Sequence, residues 1–320
     1  MRPWTKVPPQ AGRRFVITGS NGGLGLETAR ILGSRGAEIV MACRSVEKAE
    51  AAARTVPGHD KGRVTVRRVD VSDLVSVRAF VAEEQAEGRG IDVLINNAGV
   101  LGVPHSVSAE GVEMHFATNY LGHFALTLGL LPQLRDRVVM LSSREHRSGR
   151  IDLDDLGWER RPYRPFAAYG ASKLADLLFM RELDRRLRAT GSPVRSVGAH
   201  PGATATSITS GSGHPLITWI GHHGHRLVGM PAWRGALCTV YAAVADIPGG
   251  TYIGPHGRTE LWGWPAPARM SPKVEDTALA AALWQRSVEL TGVDFEEPGA
   301  GQPGPGQPDP GQPGVERPVA

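Results

Sequence analysis

The residues best suited to chemistry in this chain of 320 residues lie in "AYGASK", residues 168 to 173, where Tyr169 precedes Lys173 by four positions. On a helix that spacing puts both side chains on one face, a turn apart. A free phenol has a pKa of about 10, too high for acid-base work near neutrality, and a fixed ammonium beside it favours phenolate and is expected to lower it. Tyr169 could then pass a proton to or from an oxygen, with Lys173 as its tuning cation. The chain has 5 tyrosines, and its lysines are confined to Lys6, Lys48, Lys61, Lys173 and Lys273, which sets Lys173 apart from the arginines that carry most of the positive charge. The same spacing also occurs on ordinary helix surfaces, so the pair takes its meaning from what surrounds it.

Several elements must position that pair. From Phe166 to Ala189, apolar residues recur at Leu174, Leu177, Leu178, Leu183 and Leu187, with Arg181, Arg185, Arg186 and Arg188 mostly opposite. This pattern predicts an amphipathic helix with Tyr169 and Lys173 in its first turns. Starting at Arg13, the segments "RRFVITG", "AEIVMACR", "RVTVRRVDV", "IDVLINNAG", "DRVVMLSS" and "VRSVGAHPG" are each followed by a helix-compatible stretch, and "GTYIGP" adds a seventh strand candidate. Apolar strands without strict alternation, separated by helices, imply a parallel sheet covered on both faces. The expected architecture is therefore α/β: a single-domain Rossmann fold with a doubly wound, mostly parallel sheet of about seven strands.

Strand one runs into "TGSNGGLGLETARIL", where Gly19, Gly23 and Gly25 precede a helix. Glycines at such a turn let backbone N–H groups and the helix N-terminus approach a pyrophosphate. An acidic residue at the end of strand two would bind the ribose 2′-hydroxyl of NAD, whereas a cation accommodates the 2′-phosphate of NADP. "IVMACRS" ends that strand with Cys43 and Arg44. The expectation is NADP(H), with Arg44 clamping the phosphate through its planar donor fork.

Taken together these residues resemble the short-chain dehydrogenase/reductase family over nearly the whole foldable region. The markers stand in order: "TGSNGGLG" at 18 to 25, Asp70 and Val71, "NNAG" at 96 to 99, Asn119 in "TNYLGHF", Ser143, "YGASK", and "HPGATAT" at 200 to 206. "CRS", "TNYLGHF", "SSREH" and "YGASKLADLLF" are similar to the retinol-dehydrogenase-like subgroup. The resemblance implies a catalytic set of Ser143, Tyr169, Lys173 and Asn119. Tyr169 would be the proton donor, Lys173 would also hold the nicotinamide ribose, and Ser143 would polarise the substrate oxygen, with Ser142 as the adjacent alternative. Asn119 would hold a water linking Lys173 to solvent. Cofactor contacts are implied for Gly19, Ser20, Asn21, Gly23, Leu24, Gly25, Arg44, Asp70, Val71, Asn97, Ala98, Gly99, Tyr169, Lys173, Pro201, Gly202 and Thr206, with Asn96 bracing the sheet beneath.

Ser143 and Tyr169 are separated by a long charged connection, which must loop out so that both ends reach one site. Its Trp158 and Tyr163 could wall a pocket or pack on the surface. The segment from Ser207 to Met230, rich in Gly, His and Thr, reads as a flap whose Leu216, Ile217, Trp219, Ile220, Leu227 and Val228 could cover a lipophilic carbonyl compound or pack on the core. Its His214, His222, His223 and His225 lack flanking carboxylates or cysteines, and hydride chemistry needs no metal, so no metal site is expected.

The remaining features bound the function. Residues 1 to 11 read as an N-terminal extension, 12 to 295 as the reductase domain, and 296 to 320, a Gly/Pro/Gln repeat, as a tail unable to bury a core. A formal charge of +4 from 36 basic and 32 acidic interspersed residues is no nucleic-acid footprint. No stretch is apolar enough for stable membrane insertion, and "MRPWTKVPPQAGRR" lacks the apolar run of a signal peptide, so the cytoplasm is the default compartment. Cys43 and Cys238 fit a reduced interior. The leading reading is an NADP(H)-dependent oxidoreductase acting on a small apolar carbonyl or alcohol, as a homodimer or homotetramer. The alternatives are a catalytically silent NADP(H) sensor or scaffold and an epimerase or dehydratase on the same fold.

Overall fold

The computed structural model describes residues 6–204 and 229–295. Its strands are β1 (Arg14–Thr18), β2 (Glu38–Cys43), β3 (Val64–Arg68), β4 (Ile91–Asn96), β5 (Leu134–Leu141), β6 (Arg195–Ala199), β7 (Tyr252–Pro255) and β8 (Pro265–Pro267). They form one sheet in the order β3-β2-β1-β4-β5-β6-β7-β8. The first seven run parallel, and each falls within its expected segment except β5, which begins two residues earlier, at Leu134. β1 is buried along its whole length, as a central strand covered on both sides must be. The expectation of about seven strands falls one short, because β8 pairs antiparallel with β7 at the sheet edge. Its sequence, Pro-Ala-Pro, reads as a breaker, and an edge position is where proline's missing N–H is tolerated.

Helices cover both faces. On one side lie α1 (Gly23–Ser34), α2 (Val46–Ala53) and α7 (Ala232–Val244), packed over Leu32, Ala53, Cys238 and Val240. On the other lie α3 (Leu74–Glu87), α4 (Met114–Phe116), α5 (Gly122–Leu130), α6 (Pro165–Ala189) and α8 (Thr277–Thr291). A π-helical turn, Ala117–Leu121, joins α4 to α5 and carries Asn119. Pro165 opens α6 at a position where its fixed φ suits the helix and its missing N–H costs nothing.

Helix α6 is held in place by aromatic packing. The Phe124 ring lies 5.2 Å from that of Phe179 and 5.1 Å from that of Trp284, each pair inclined rather than stacked. Burying each such ring is worth about 1.5–3 kcal/mol, so this cluster fixes the helix that presents Tyr169 and Lys173. The site follows from the sheet order, which reverses between β1 and β4 and opens a crevice at the strands' carboxyl ends.

Thr206, the flap residues up to Val228 with their four histidines, the first five residues and the 296–320 tail lie outside the described residues. Both cysteines are buried and free. No helix among the described residues is long and apolar enough to cross a membrane.

Candidate active site

The turn after β1 is built around close approach. Gly19 has φ +64° and Gly23 φ +53°, left-handed conformations that suit glycine. A Cβ on Gly25 would stand 2.5 Å from Asn97 Nδ2 and 2.7 Å from the Gly19 carbonyl oxygen, so only glycine fits there. Asn97 secures the turn by donating from Nδ2 to the Thr18 carbonyl oxygen at 2.8 Å. No side chain caps the N-terminus of α1. Its first N–H groups therefore remain available to an anion, with the helix dipole favouring negative charge.

Thr18 and His123 lock this loop to the helix that carries Asn119. Thr18 Oγ1 accepts from the Asn97 and Ala98 N–H groups, each at 2.9 Å, and lies 2.9 Å from His123 Nε2. His123 Nδ1 lies 2.8 Å from the Asn119 carbonyl oxygen. A carbonyl only accepts, so the proton sits on Nδ1 and Nε2 accepts from the Thr18 hydroxyl. Burial, reinforced by the charge of Lys173, pushes the His123 pKa down to about 4, and the ring stays neutral.

Together the turn, the end of β2 and the start of the loop after β4 enclose a cleft of about 650 Å³. Gly19, Asn21, Gly23, Leu24, Gly25, Arg44, Asp70, Val71, Asn97, Ala98 and Gly99 all line it. Asp70 Oδ1 accepts from the Ser72 N–H and hydroxyl, at 3.0 and 2.6 Å, while Oδ2 lies 3.9 Å from Arg44 Nη1. Ser20 is turned away: its buried hydroxyl donates to the Ile17 carbonyl oxygen at 3.0 Å. Pro201 and Gly202 follow β6 at the same end of the sheet but stand apart from the cleft lining, and a Cβ on Gly202 would approach the Leu261 carbonyl oxygen to 2.5 Å. The lining also contains Ser45, Lys48 and Thr118, which sequence reasoning missed. Lys48 had a legible signal, since it stands four residues after Arg44 at the opening of α2.

Gly99 connects this cleft to the catalytic candidates: a Cβ there would lie 3.1 Å from Asn119 Oδ1 and 4.0 Å from Lys173 Nζ. Tyr169 and Lys173 are both buried near the start of α6. Lys173 Nζ stands 5.8 Å from the centre of the Tyr169 ring and donates to the Leu141 carbonyl oxygen at 2.7 Å and to Asp176 Oδ2 at 2.9 Å. Ser143, capping the short turn after β5, lies near the Tyr169 phenol and favours its ionised form. Ser142 instead donates to the Lys173 carbonyl oxygen at 2.7 Å, which leaves Ser143 as the serine facing the phenol.

One expectation about this cluster changes, the direction in which Tyr169 is shifted. Lys173 and Ser143 both favour the phenolate, yet burial outweighs them and Tyr169 is pushed above the ordinary tyrosine value. Asn119 uses its whole side chain as a clamp: Oδ1 accepts from the Val100 N–H at 2.8 Å, and Nδ2 donates to the Val100 carbonyl oxygen at 3.1 Å and to Ser172 Oγ at 2.9 Å. Asn96 lies below, donating to Thr127 Oγ1 at 2.8 Å. The connection between Ser143 and Tyr169 returns along the cleft mouth, where Tyr163 donates its hydroxyl proton toward Glu113 Oε1, 2.9 Å away, and Arg161 stacks 4.0 Å over the Trp158 ring.

The family model described as short chain dehydrogenase matches residues 13–215, and the chain belongs to that family. It is therefore an oxidoreductase of the class that works on alcohols and carbonyls with a nicotinamide cofactor. It is 37% identical over 297 residues to retinol dehydrogenase 13 of Homo sapiens, covering 88% of this chain and 86% of that one. Retinol dehydrogenase 12 of Mus musculus is 40% identical over 296 residues, covering 89% and 88%. The crystal structure of an uncharacterized protein from Mycobacterium paratuberculosis shares 45% identity with a TM-score of 0.77, covering 92% of this chain and 100% of that one.

Proposed function

We propose that this chain is an NADP(H)-dependent reductase that interconverts an apolar aldehyde or ketone with its alcohol, with Tyr169 as the general acid and base. The observation that carries the reading is the convergence of Ser143 and Lys173 on the Tyr169 phenol beside a glycine-lined cleft. The cleft fits a dinucleotide, because Gly25, where any Cβ would clash, lets the turn close against the start of α1, and that uncapped helix start faces the cleft. Arg44 and Lys48 would hold a 2′-phosphate, Asp70 and Val71 the adenine, and Asn97, Ala98 and Gly99 the central part of the molecule. Pro201, Gly202 and Thr206 would flank its nicotinamide end. The bound cofactor supplies hydride to the carbonyl carbon.

The chain's own residues handle the oxygen. Ser143 and Tyr169 donate hydrogen bonds to it and polarise the carbonyl before reaction. The Tyr169 proton then passes to the oxygen as alkoxide character develops, and the buried Lys173 ammonium stabilises the phenolate left behind. Oxidation of the alcohol runs the same path backwards. Asn119 keeps Gly99, Val100 and Ser172 in register around Lys173. The names of the similar retinol dehydrogenases support a long, lipophilic alcohol or aldehyde.

In this reading residues 12–295 are the catalytic unit, the 296–320 tail takes no part in turnover, and the protein works in the cytoplasm as a homodimer or homotetramer. The test is NADPH oxidation by the purified protein across retinoid, steroid and aliphatic aldehydes and ketones. Turnover on apolar members is expected; binding of NADPH without turnover of any member would contradict the proposal.

A further inference from the structure

Asp176 stands three residues after Lys173 on the apolar face of α6, between Leu174 and Leu177, and is completely buried. Its Oδ2 accepts from Lys173 Nζ at 2.9 Å, while Oδ1 has no hydrogen-bond partner among the described residues. A buried carboxylate with one bare oxygen is costly, and replacing it with an apolar residue would be the simpler way to fill a helix core. Burial raises the Asp176 pKa to about 6 against the pull of Lys173, so above that pH it gives the Lys173 ammonium, itself only 6% exposed, a counter-charge and fixes it between Asp176 and the Leu141 carbonyl. An ammonium whose charge is offset in this way pulls less strongly on the neighbouring phenol.

We propose that Asp176 is a positioning residue that holds Lys173 and offsets its charge, so that Tyr169 stays in its proton-donating form across neutral pH. The proposal rests on the role of Tyr169 given above and deepens it. In the reductive direction the Tyr169 O–H bond breaks as the substrate oxygen gains the proton, and the phenolate recovers its proton from solvent. Asp176 makes that recovery more favourable by raising the proton affinity of the phenolate. The groups surrounding this unit all bear on it. Tyr120, from the π-helical turn, lies close enough to Asp176 to feel its charge, as does Tyr169. Tyr169 also faces Ser143 and Glu145 from the turn after β5, the His115 ring edge from α4, and Tyr252 from β7. Lys173 faces His123 from α5, which stays neutral.

Asp176→Asn keeps the shape and removes the charge. The ionisation of Tyr169 can be read without turnover as the tyrosinate absorption difference between each protein and its Tyr169→Phe derivative. In Asp176→Asn this ionisation is expected to move to lower pH by about one unit. The low-pH limb of kcat/KM for alcohol oxidation should move with it. No shift, or a shift to higher pH, would overturn the proposal. Should Asp176→Asn fail to fold, Asp176→Ser, which also removes the charge, takes its place: the Tyr169 ionisation should again move to lower pH, and no shift would overturn the proposal. A shifted titration in a protein that turns over no carbonyl would count against the proposed activity, whereas turnover with an unshifted titration would count against Asp176.

Discussion

Replacing Arg44 and Lys48 with alanine tests the cofactor assignment with a magnitude that the geometry constrains. Both residues line the cleft, and Arg44 is 77% exposed with its ion pair to Asp70 at a loose 3.9 Å. Each charge-assisted hydrogen bond to a 2′-phosphate is worth about 1.5–3 kcal/mol. From this must be subtracted the exposed Arg44–Asp70 contact that Arg44 gives up, roughly 0–1 kcal/mol. The net is on the order of 1.4 kcal/mol per residue, or about tenfold in Kd. Arg44→Ala and Lys48→Ala should each weaken NADPH about tenfold, and the double variant more than either alone but not additively, since both meet one phosphate, while NADH changes by less than about twofold. Calorimetric or fluorescence titration of both cofactors measures this. Equal loss of NADPH and NADH, or a wild type that prefers NADH, would refute the assignment.

Gly25→Ala should destabilise the fold by about 1–3 kcal/mol and abolish dinucleotide binding, because its Cβ would press on Asn97 Nδ2 and the Gly19 carbonyl; a thermal melt and a cofactor titration check both. His123, pushed from its ordinary 6.5 down to about 4, is neutral in the native state, and unfolding lets it take up a proton. It therefore contributes stability that is present above about pH 6.5 and lost as pH falls through about 4, on the order of 3 kcal/mol in all. Denaturant unfolding across that window should show a steeper loss in the wild type than in His123→Gln, and equal slopes would refute it.

The seven parallel strands were legible because each is a short apolar run closed by glycine, arginine or a polar turn, and the long helix because its leucines recur at helical spacing. β8 was not, since edge strands need no hydrophobic core face and can carry proline. At the site, the glycine turn, Arg44 and the Tyr169–Lys173 pair could be singled out from residue type and local spacing, and Asp70 from the family resemblance. The Thr18–His123–Asn119 chain was hidden, as it joins residues up to 105 positions apart. Asp176 lay only three residues from Lys173, but an acid within a leucine-rich helix face reads as a solvated position until burial is known. The direction in which Tyr169 shifts was equally out of reach: it depends on the balance between burial and charge, which spacing alone does not give.

The most direct test of the central claim is Tyr169→Phe, which removes the phenolic hydroxyl and keeps the ring. Carbonyl turnover should fall by about 10²–10⁴-fold, the usual contribution of a general acid, with NADPH affinity within about threefold of wild type. A variant that still reduces substrate at a rate close to wild type would contradict the assignment of Tyr169 as the proton donor.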